Sequence, residues 1–141
     1  MNIQSIIAKR SSDVVTISPD ATLKQAANLL NEKRIGALPV ASEGKLVGII
    51  SERDIVRICA SSESNPLETL VKSAMSTNLE IASLKDTIDM ALARMTDRRI
   101  RHLPVVEAEK LVGIVSIGDL VKKQIDNVIA EADAMRAYIH S

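Results

Sequence analysis

The chain has 141 residues, 46% hydrophobic and 26% charged, which is the composition of one compact globular domain or of two small interlocked ones. Eighteen basic and 18 acidic residues give a formal net charge of zero, which excludes an overall electrostatic attraction to nucleic acid or anionic lipid. The single Cys59 excludes an intramolecular disulfide, and one aromatic residue of the Phe/Tyr/Trp set, Tyr138, argues against RNA recognition by base stacking.

Targeting and metal-binding signals are missing from the sequence. The N-terminal residues contain no apolar segment of signal-peptide length, and no apolar run approaches the roughly 20 residues that cross a bilayer. No Cys/His spacing typical of a metal site occurs, and a lone cysteine fits a reducing compartment. We therefore expect a cytoplasmic protein without a bound metal, a nucleic-acid partner or a membrane partner.

The first half of the chain begins with a predicted strand and helix. Residues 14–17 form a short β-branched run that ends at Ser18 and Pro19. Thr22 and Gln25 predict a capping box at the start of the following helix. The buried face of that helix is predicted from apolar residues at helical spacing, namely Leu23, Ala26, Ala27 and Leu30.

A hairpin and a second helix follow. Residues 38–41 and 45–50 are predicted strands, and Gly44 supplies the positive φ of the tight turn between them. Pro39 is expected near a strand start or edge, where its missing N–H is harmless. Ser51 begins the last helix of this half. Residues 61–66 are a polar connector, and residues 67–75 are predicted to form a short helix.

The second half repeats the first. Residues 35–56 recur as residues 100–121 at a constant offset of 65, with twelve of 22 aligned positions identical. Because neither half alone buries its apolar faces well, such copies normally pack together about a pseudo-twofold axis. We divide the chain into repeat one (1–65), repeat two (66–125) and a C-terminal helical extension (126–141). The helix face of the second copy is predicted at Ile88, Ala91, Leu92 and Met95.

The C-terminal extension carries one apolar seam. From Val121 the apolar residues follow at alternating spacings of four and three, at Ile125, Val128, Ala132, Met135 and Ile139. A period of 3.5 residues favours helix-on-helix packing. Two alternatives remain open: the helix packs on its own domain, or it reinforces contact with a second copy of the chain.

A Ser-x-x-Asp corner closes each repeat and permits two interpretations. Ser51 with Asp54, and Ser116 with Asp119, stand where a strand meets a helix. In one interpretation they are helix caps worth about 1 kcal/mol each. In the other, the helix N-terminus attracts a phosphate and the carboxylate accepts hydrogen bonds from ribose hydroxyls.

Leu-Pro-Val, Leu-Val-Gly-Ile and Ser-x-x-Asp occur in this order twice, at matched spacing. The chain thereby resembles a tandem pair of CBS (cystathionine-β-synthase) domains, most of all the small stand-alone CBS-pair proteins, over nearly all of residues 1 to about 125. The resemblance implies an α/β (α+β) fold of two β-α-β-β-α repeats. It further implies a regulatory module that binds AMP, ADP or ATP, with NAD(H) or S-adenosylmethionine as other possible ligands, and that acts on a separate protein.

The resemblance also implies roles for particular residues. Asp54 and Asp119 would hold the ribose diol, and Ser51 and Ser116 would help to bind phosphate. The adenine slot of repeat one would contain Ile49, Ile35 and Ala37, and that of repeat two Ile114 and Ile100, with Ser12 and Thr77 on the segments that lead into the repeats. These apolar residues are equally suitable as core residues.

The two copies differ just before Leu-Pro-Val. Arg101 and His102 replace the Gly36-Ala37 pair of the first copy, and resemblance to nucleotide-binding CBS pairs places them near phosphates. The basic residues before them, Arg94, Arg98 and Arg99, also suit a solvated helix end, where cations favour the C-terminal dipole. An unperturbed His102 titrates near neutral pH, so phosphate affinity would rise as pH falls.

Three function classes compete. An enzyme is the least expected, because no nucleophile–base pair, Gly-rich phosphate loop or catalytic cofactor site stands out. A nucleotide-responsive regulator and a ligand-free interaction scaffold both fit the duplicated fold. CBS pairs commonly associate face to face, so the resemblance also implies a homodimer.

Overall fold

Each half of the chain builds a two-stranded antiparallel hairpin flanked by helices. The computed structural model describes residues 1–9, 14–61 and 65–140. In the first half the elements are α1 (Gln4–Ile7), α2 (Leu23–Lys33), β1 (Ala37–Ser42), β2 (Lys45–Ser51) and α3 (Glu52–Ser61). In the second half they are a 3₁₀ turn (Pro66–Glu68), α4 (Val71–Ala74), α5 (Ile88–Arg98), β3 (His102–Glu107), β4 (Lys110–Ser116) and α6 (Ile117–His140).

The two hairpins have the same register. Ala37 pairs with Ser51 in the first, His102 pairs with Ser116 in the second, and each has its irregularity at the equivalent step after the fourth residue of its first strand. Gly44 has the predicted positive φ, at 79°. The second turn contains no glycine, and Ala108 and Glu109 adopt φ values of 49° and 64° there.

The predicted helix starts and buried faces are confirmed. Thr22 and Gln25 form a reciprocal capping box on α2, and the Thr87 side chain accepts the Met90 N–H at the start of α5. Leu23, Ala26 and Leu30 are buried on α2, as are Ile88, Ala91 and Met95 on α5, while Ala27 and Leu92 are partly buried. Both helices end at an arginine in the left-handed region, Arg34 and Arg99.

The first predicted strand of each repeat is a single bridging residue. Ile17 pairs in parallel with Val40, and Ala82 pairs in parallel with Val105. Pairing stops after Ile17 because the next donor to β1 would be Pro19, two residues later, which has no N–H. After Ala82, the Ser83 N–H donates to the Asp86 carboxylate, and no further residue of the described segment pairs with β3.

The helix predicted over residues 67–75 is wrong in its extent. The chain makes the 3₁₀ turn and the separate short α4 instead, with Thr69 and Leu70 extended between them. Backbone pairing with the start of α2 holds this break: the Leu23 N–H donates to the Thr69 carbonyl, and the Val71 N–H donates to the Ala21 carbonyl, both at 2.8 Å.

The two cores interlock through their leading segments. Ile3, at the N-terminus, is fully buried in the core of the second repeat, whereas Val71, which leads into repeat two, is buried in the core of the first. Glycine makes this close packing possible. A Cβ at Gly48 would lie 2.6 Å from the Met75 sulfur, and a Cβ at Gly113 would lie 2.6 Å from Ile7 Cδ1.

The extension is a continuation of the last helix of repeat two. α6 runs for 24 residues, and its first part packs against α5, where Gln124 donates to Asp89. The seam beyond it is not covered within one chain: Ile125 is 53% exposed and Met135 is 66% exposed. No helix in the described ranges has both the length and the apolarity that crossing a membrane requires.

Candidate functional site

Two clefts lie where the repeats meet, each with one Ser-x-x-Asp corner in its wall. The Asp119 cleft has a volume of about 530 Å³, and the Asp54 cleft has a volume of about 330 Å³. Both values lie within the range of small-molecule sites, roughly 300–1,000 Å³.

Each cleft takes its walls from both repeats. Ile114, Ser116 and Asp119 of repeat two face Ile35 and Ala37 of repeat one. In the other cleft, Ile49, Ser51 and Asp54 of repeat one face Ile100 and Arg101 of repeat two. The assignment of Ile35 with Ile49, and of Ile100 with Ile114, to one slot each is therefore wrong. The pseudo-twofold packing, in which β2 contacts β4, sets the corner of one repeat opposite the Leu-Pro-Val strand of the other.

Both corners have the geometry of a capping box. The Ser116 N–H donates to Asp119 Oδ2 at 2.8 Å, and the Asp119 N–H donates back to Ser116 Oγ at 3.1 Å. The Ser51 N–H donates to Asp54 Oδ2 at 2.9 Å, and the Asp54 N–H donates to Ser51 Oγ at 3.3 Å. The capping interpretation is thus confirmed, and it leaves the second carboxylate oxygen of each corner outside the box.

The Asp54 carboxylate has an additional partner. Arg57 Nη2 lies 3.1 Å from Asp54 Oδ1 and also donates to the Ala74 carbonyl at 3.2 Å. The Asp54 side chain is only 14% exposed, whereas that of Arg57 is 60% exposed. A ligand hydroxyl at Oδ1 would compete with this arginine, which links the corner to the end of α4.

His102 lines both clefts. It occupies the position equivalent to Ala37, which is likewise shared by the two clefts, and its ring lies against Gly36. Burial lowers the pKa of His102 below its ordinary value, while the nearby Asp119 and Glu52 carboxylates oppose that shift and Arg101 adds to it. The His102 ring thus lies in the walls of both clefts, close to both acidic and basic side chains.

The two residues predicted on the leading segments have different outcomes. Ser12 lies outside the described residues. Thr77 lines a third cavity of about 640 Å³, which adjoins the Asp54 cleft and shares Ile49, Ser76, Ile100 and His102 with it. Ser76, the neighbour of Thr77, faces the Asp54 cleft itself, because its backbone pairs with Ile49 on β2.

Sequence reasoning missed several lining residues. Val14 and Val15 belong to the Asp119 cleft, although residues 14–17 were predicted only as a strand. Arg34, at the end of α2, lines the Asp119 cleft, and its counterpart Arg99, for which the sequence also allowed a solvated helix end, lines the Asp54 cleft at the end of α5. Arg53 lies inside the Ser-x-x-Asp corner itself. The repeated Arg-Ile pair at positions 34 and 99 was the available signal.

The basic residues before the second Leu-Pro-Val separate into two groups. Arg94 lies 3.5 Å from Asp86, and Arg98 lies 3.1 Å from Glu80, so both are engaged in ion pairs. Arg99 and Arg101 line the Asp54 cleft and form no ion pair with any carboxylate in the described part of the chain.

Comparisons with known proteins agree with this architecture. A family model described as "CBS domain" matches residues 5–61 and 71–126. The CBS domain-containing protein YhcV of Bacillus subtilis is 34% identical over 125 residues, which are 89% of either chain. The crystal structure of the CBS-domain containing protein ATU1752 from Agrobacterium tumefaciens is 36% identical, covers 87% of this chain and 92% of its own, and superposes with a TM-score of 0.83.

A further solved structure holds ligands. The CBS domain pair of protein MJ0100, in complex with 5-methylthioadenosine and S-adenosyl-L-methionine, is 26% identical, covers 90% of this chain and 98% of its own, and has a TM-score of 0.79. With a family model matched on both repeats and relatives of similar length that align over most of their chains, this chain belongs to the CBS domain family, as a tandem pair.

Proposed function

We propose that this chain is a regulatory module that binds an adenosine-containing ligand, AMP, ADP, ATP or a related compound, between its repeats and thereby modulates a separate protein. The observation that carries the proposal is the recurrence of one arrangement. In each of two clefts, a Ser-x-x-Asp corner stands at the edge of an apolar slot of ligand size.

The apolar slots suit a flat base. In the Asp119 cleft, Val14, Val15, Ile35 and Ile114 offer aliphatic surface, and in the Asp54 cleft Ile49 and Ile100 do the same. These isoleucines are only partly buried, so they retain surface that a ligand would cover. An adenine ring gains free energy by covering such aliphatic surface.

The polar edges suit a sugar and phosphates. Each carboxylate keeps one oxygen outside its capping box, where it accepts hydrogen bonds from ribose hydroxyls. Ser51 and Ser116 lie at helix N-termini, whose dipoles favour a phosphate. Arg101 and His102 lie at the rim of the Asp54 cleft and supply positive charge and hydrogen-bond donors there.

A ligand can regulate the protein because both repeats contribute residues to the walls of each cleft. Because each cleft combines residues from both repeats, a ligand contacts the two repeats at once and favours the arrangement that fits it best. Only such differential affinity shifts a conformational equilibrium. A separate protein that recognises one arrangement would then respond to the ligand. In this proposal the chain is not an enzyme, because its corner carboxylates act as hydrogen-bond acceptors.

A second candidate function is a ligand-free dimeric scaffold. It is favoured by the exposed apolar surface of α6, which one chain does not cover. Dimerisation is part of both candidates, and we propose that α6 takes part in it. The exposed apolar residues of α6 are Ile117, Val121, Ile125, Val128, Ile129, Met135, Tyr138 and Ile139. We also propose a cytoplasmic location, since the free thiol of Cys59 is exposed and suits a reducing compartment.

Calorimetric titration separates these candidates. The protein is titrated with AMP, ADP, ATP, NAD(H) and S-adenosylmethionine, and its ultraviolet spectrum is recorded as purified. With no Trp and one Tyr the chain absorbs little at 280 nm, so a co-purified nucleotide would give a clear 260 nm peak. Saturable binding of one of these compounds supports the regulator. No binding of any of them at millimolar concentration leaves the scaffold as the function.

A further inference from the structure

The two clefts differ by an arginine at each of two equivalent positions. Arg53 and Arg101 line the Asp54 cleft. At the constant offset of 65 their counterparts on the side of the Asp119 cleft are both glycine, Gly118 and Gly36. A third arginine, Arg99, has an arginine counterpart in the other cleft. Among the described lining residues the Asp54 cleft therefore has two additional guanidinium groups and one additional carboxylate, that of Glu52, whose counterpart is Ile117.

The arginines of the Asp54 cleft are available for a ligand. None of the three forms an ion pair with a carboxylate that the structure describes. Arg53 and Arg101 are exposed, and they approach the cleft from opposite repeats, one from the first turn of α3 and one from the residue before β3. Guanidinium groups that converge from two sides suit a chain of several phosphates better than a single one.

Two carboxylates in the wall of the Asp54 cleft reduce the positive charge of the arginines without cancelling it. Asp54 is already bound to Ser51 and Arg57, and in the proposed function it faces the ribose. Glu52 is exposed at the rim and opposes anions, while its N–H donates to the Gly36 carbonyl. Three arginines against two carboxylates leave the described lining of this cleft net positive.

We infer that the Asp54 cleft selects adenosine ligands with two or three phosphates, and that Arg53 and Arg101 provide this selection. The Asp119 cleft, with glycine at both positions, depends less on phosphate number. This inference rests on the proposed function, because it assumes that adenosine compounds bind in the clefts. It adds the chemical class that one cleft prefers and the residues that set the preference.

The test measures affinity against phosphate number. Adenosine, AMP, ADP and ATP are titrated in magnesium-free buffer into Asp119→Ala protein, in which the Asp119 cleft is weakened and the tighter binding event reports the Asp54 cleft. We expect affinity to rise from adenosine to ATP. Arg53→Gln and Arg101→Gln should each lower ATP affinity by about tenfold or more, since each removes a charge-assisted contact, while adenosine affinity stays unchanged. Lys24→Gln, on the exposed face of α2, removes the same charge away from the clefts and should change neither affinity.

A variant that adds a positive charge to the Asp119 cleft tests the same inference. A Cβ at Gly118 would meet only Ser116 Oγ, at an ordinary 3.6 Å, so a side chain can begin there without a close contact. In an Asp54→Ala background, Gly118→Arg should raise the ATP affinity of the Asp119 cleft and leave its adenosine affinity unchanged. Circular dichroism and thermal unfolding are used to check that each variant is folded.

The outcomes distinguish this inference from the proposed function. If adenosine compounds bind but the ATP-to-adenosine affinity ratio survives in the Arg53→Gln, Arg101→Gln double variant, the inference is overturned and the proposed function stands. If no adenosine compound binds the unaltered protein, both are overturned. A ratio that falls in the double variant and rises in Gly118→Arg protein supports the inference.

Discussion

Replacing the corner aspartates by alanine separates capping from ligand binding, because the chain contains a matched aspartate elsewhere. Asp86 accepts the Ser83 N–H at 3.0 Å, the same three-residue geometry as Asp54 and Asp119, and it also lies beside an arginine. Its side chain is 18% exposed, against 14% for Asp54. Asp86 is not among the described residues that line the three cavities.

All three substitutions should destabilise the fold to a similar extent. Each removes a charged acceptor from a partly buried backbone N–H, which costs about 1–2 kcal/mol. The arginine contact of Asp54 adds little, because the Arg57 side chain is 60% exposed. For a chain of this length, about 1 kcal/mol corresponds to a fall in Tm of about 3–4 °C. Thermal unfolding monitored by circular dichroism measures this effect without ligand.

Only Asp54→Ala and Asp119→Ala should also weaken ligand binding. A ribose diol that loses its carboxylate acceptor loses at least one hydrogen bond to a charged group, which lowers affinity by about tenfold or more. Ligand at 100 times its Kd raises the stability of the unaltered protein by about 2.7 kcal/mol, and Asp86→Ala protein should keep that gain. Equal ligand affinity in all three variants would refute ribose binding and leave the corners as helix caps alone.

Four further predictions concern other parts of the fold. Glu109→Gly should raise the free energy of unfolding by about 0.5–1 kcal/mol, because glycine relieves the left-handed backbone of the second hairpin turn; an unchanged denaturation midpoint in urea would contradict this. His102, with a lowered folded-state pKa, binds fewer protons folded than unfolded, so its contribution to stability is complete above pH 6.5 and is lost as pH falls below that value. Asp119, Glu52 and Arg101 face this ring, and a bound phosphate would raise its pKa. Lowering the pH from 8 to 5.5 should therefore increase the ATP affinity of the unaltered protein, and should increase that of His102→Asn protein less. Equal affinities of the unaltered protein at the two pH values would remove this role. Deletion of residues 126–141 should weaken the proposed homodimer because it removes most of the exposed apolar face of α6, and an unchanged mass in light scattering would show that the tail plays no part.

Local sequence patterns were sufficient for much of the fold. The Thr22–Gln25 capping box, the hairpin turn at Gly44 and the buried faces of α2 and α5 depend on residues within one turn or one hairpin of each other. The constant offset of 65 established the duplication and, with it, the family. The Ser-x-x-Asp corners were equally local, and both the capping geometry and their place in a cleft wall agree with the sequence.

Only the tertiary structure decided which residues share a cleft. Ile35 meets Ile114, and Ile49 meets Ile100, because packing about the pseudo-twofold axis sets each corner opposite the other repeat, and no spacing along the chain encodes that exchange. The burial of Ile3 in the second core and of Val71 in the first has the same origin. Contacts within a repeat follow the period of a helix or strand, whereas contacts between repeats depend on how two assembled surfaces fit.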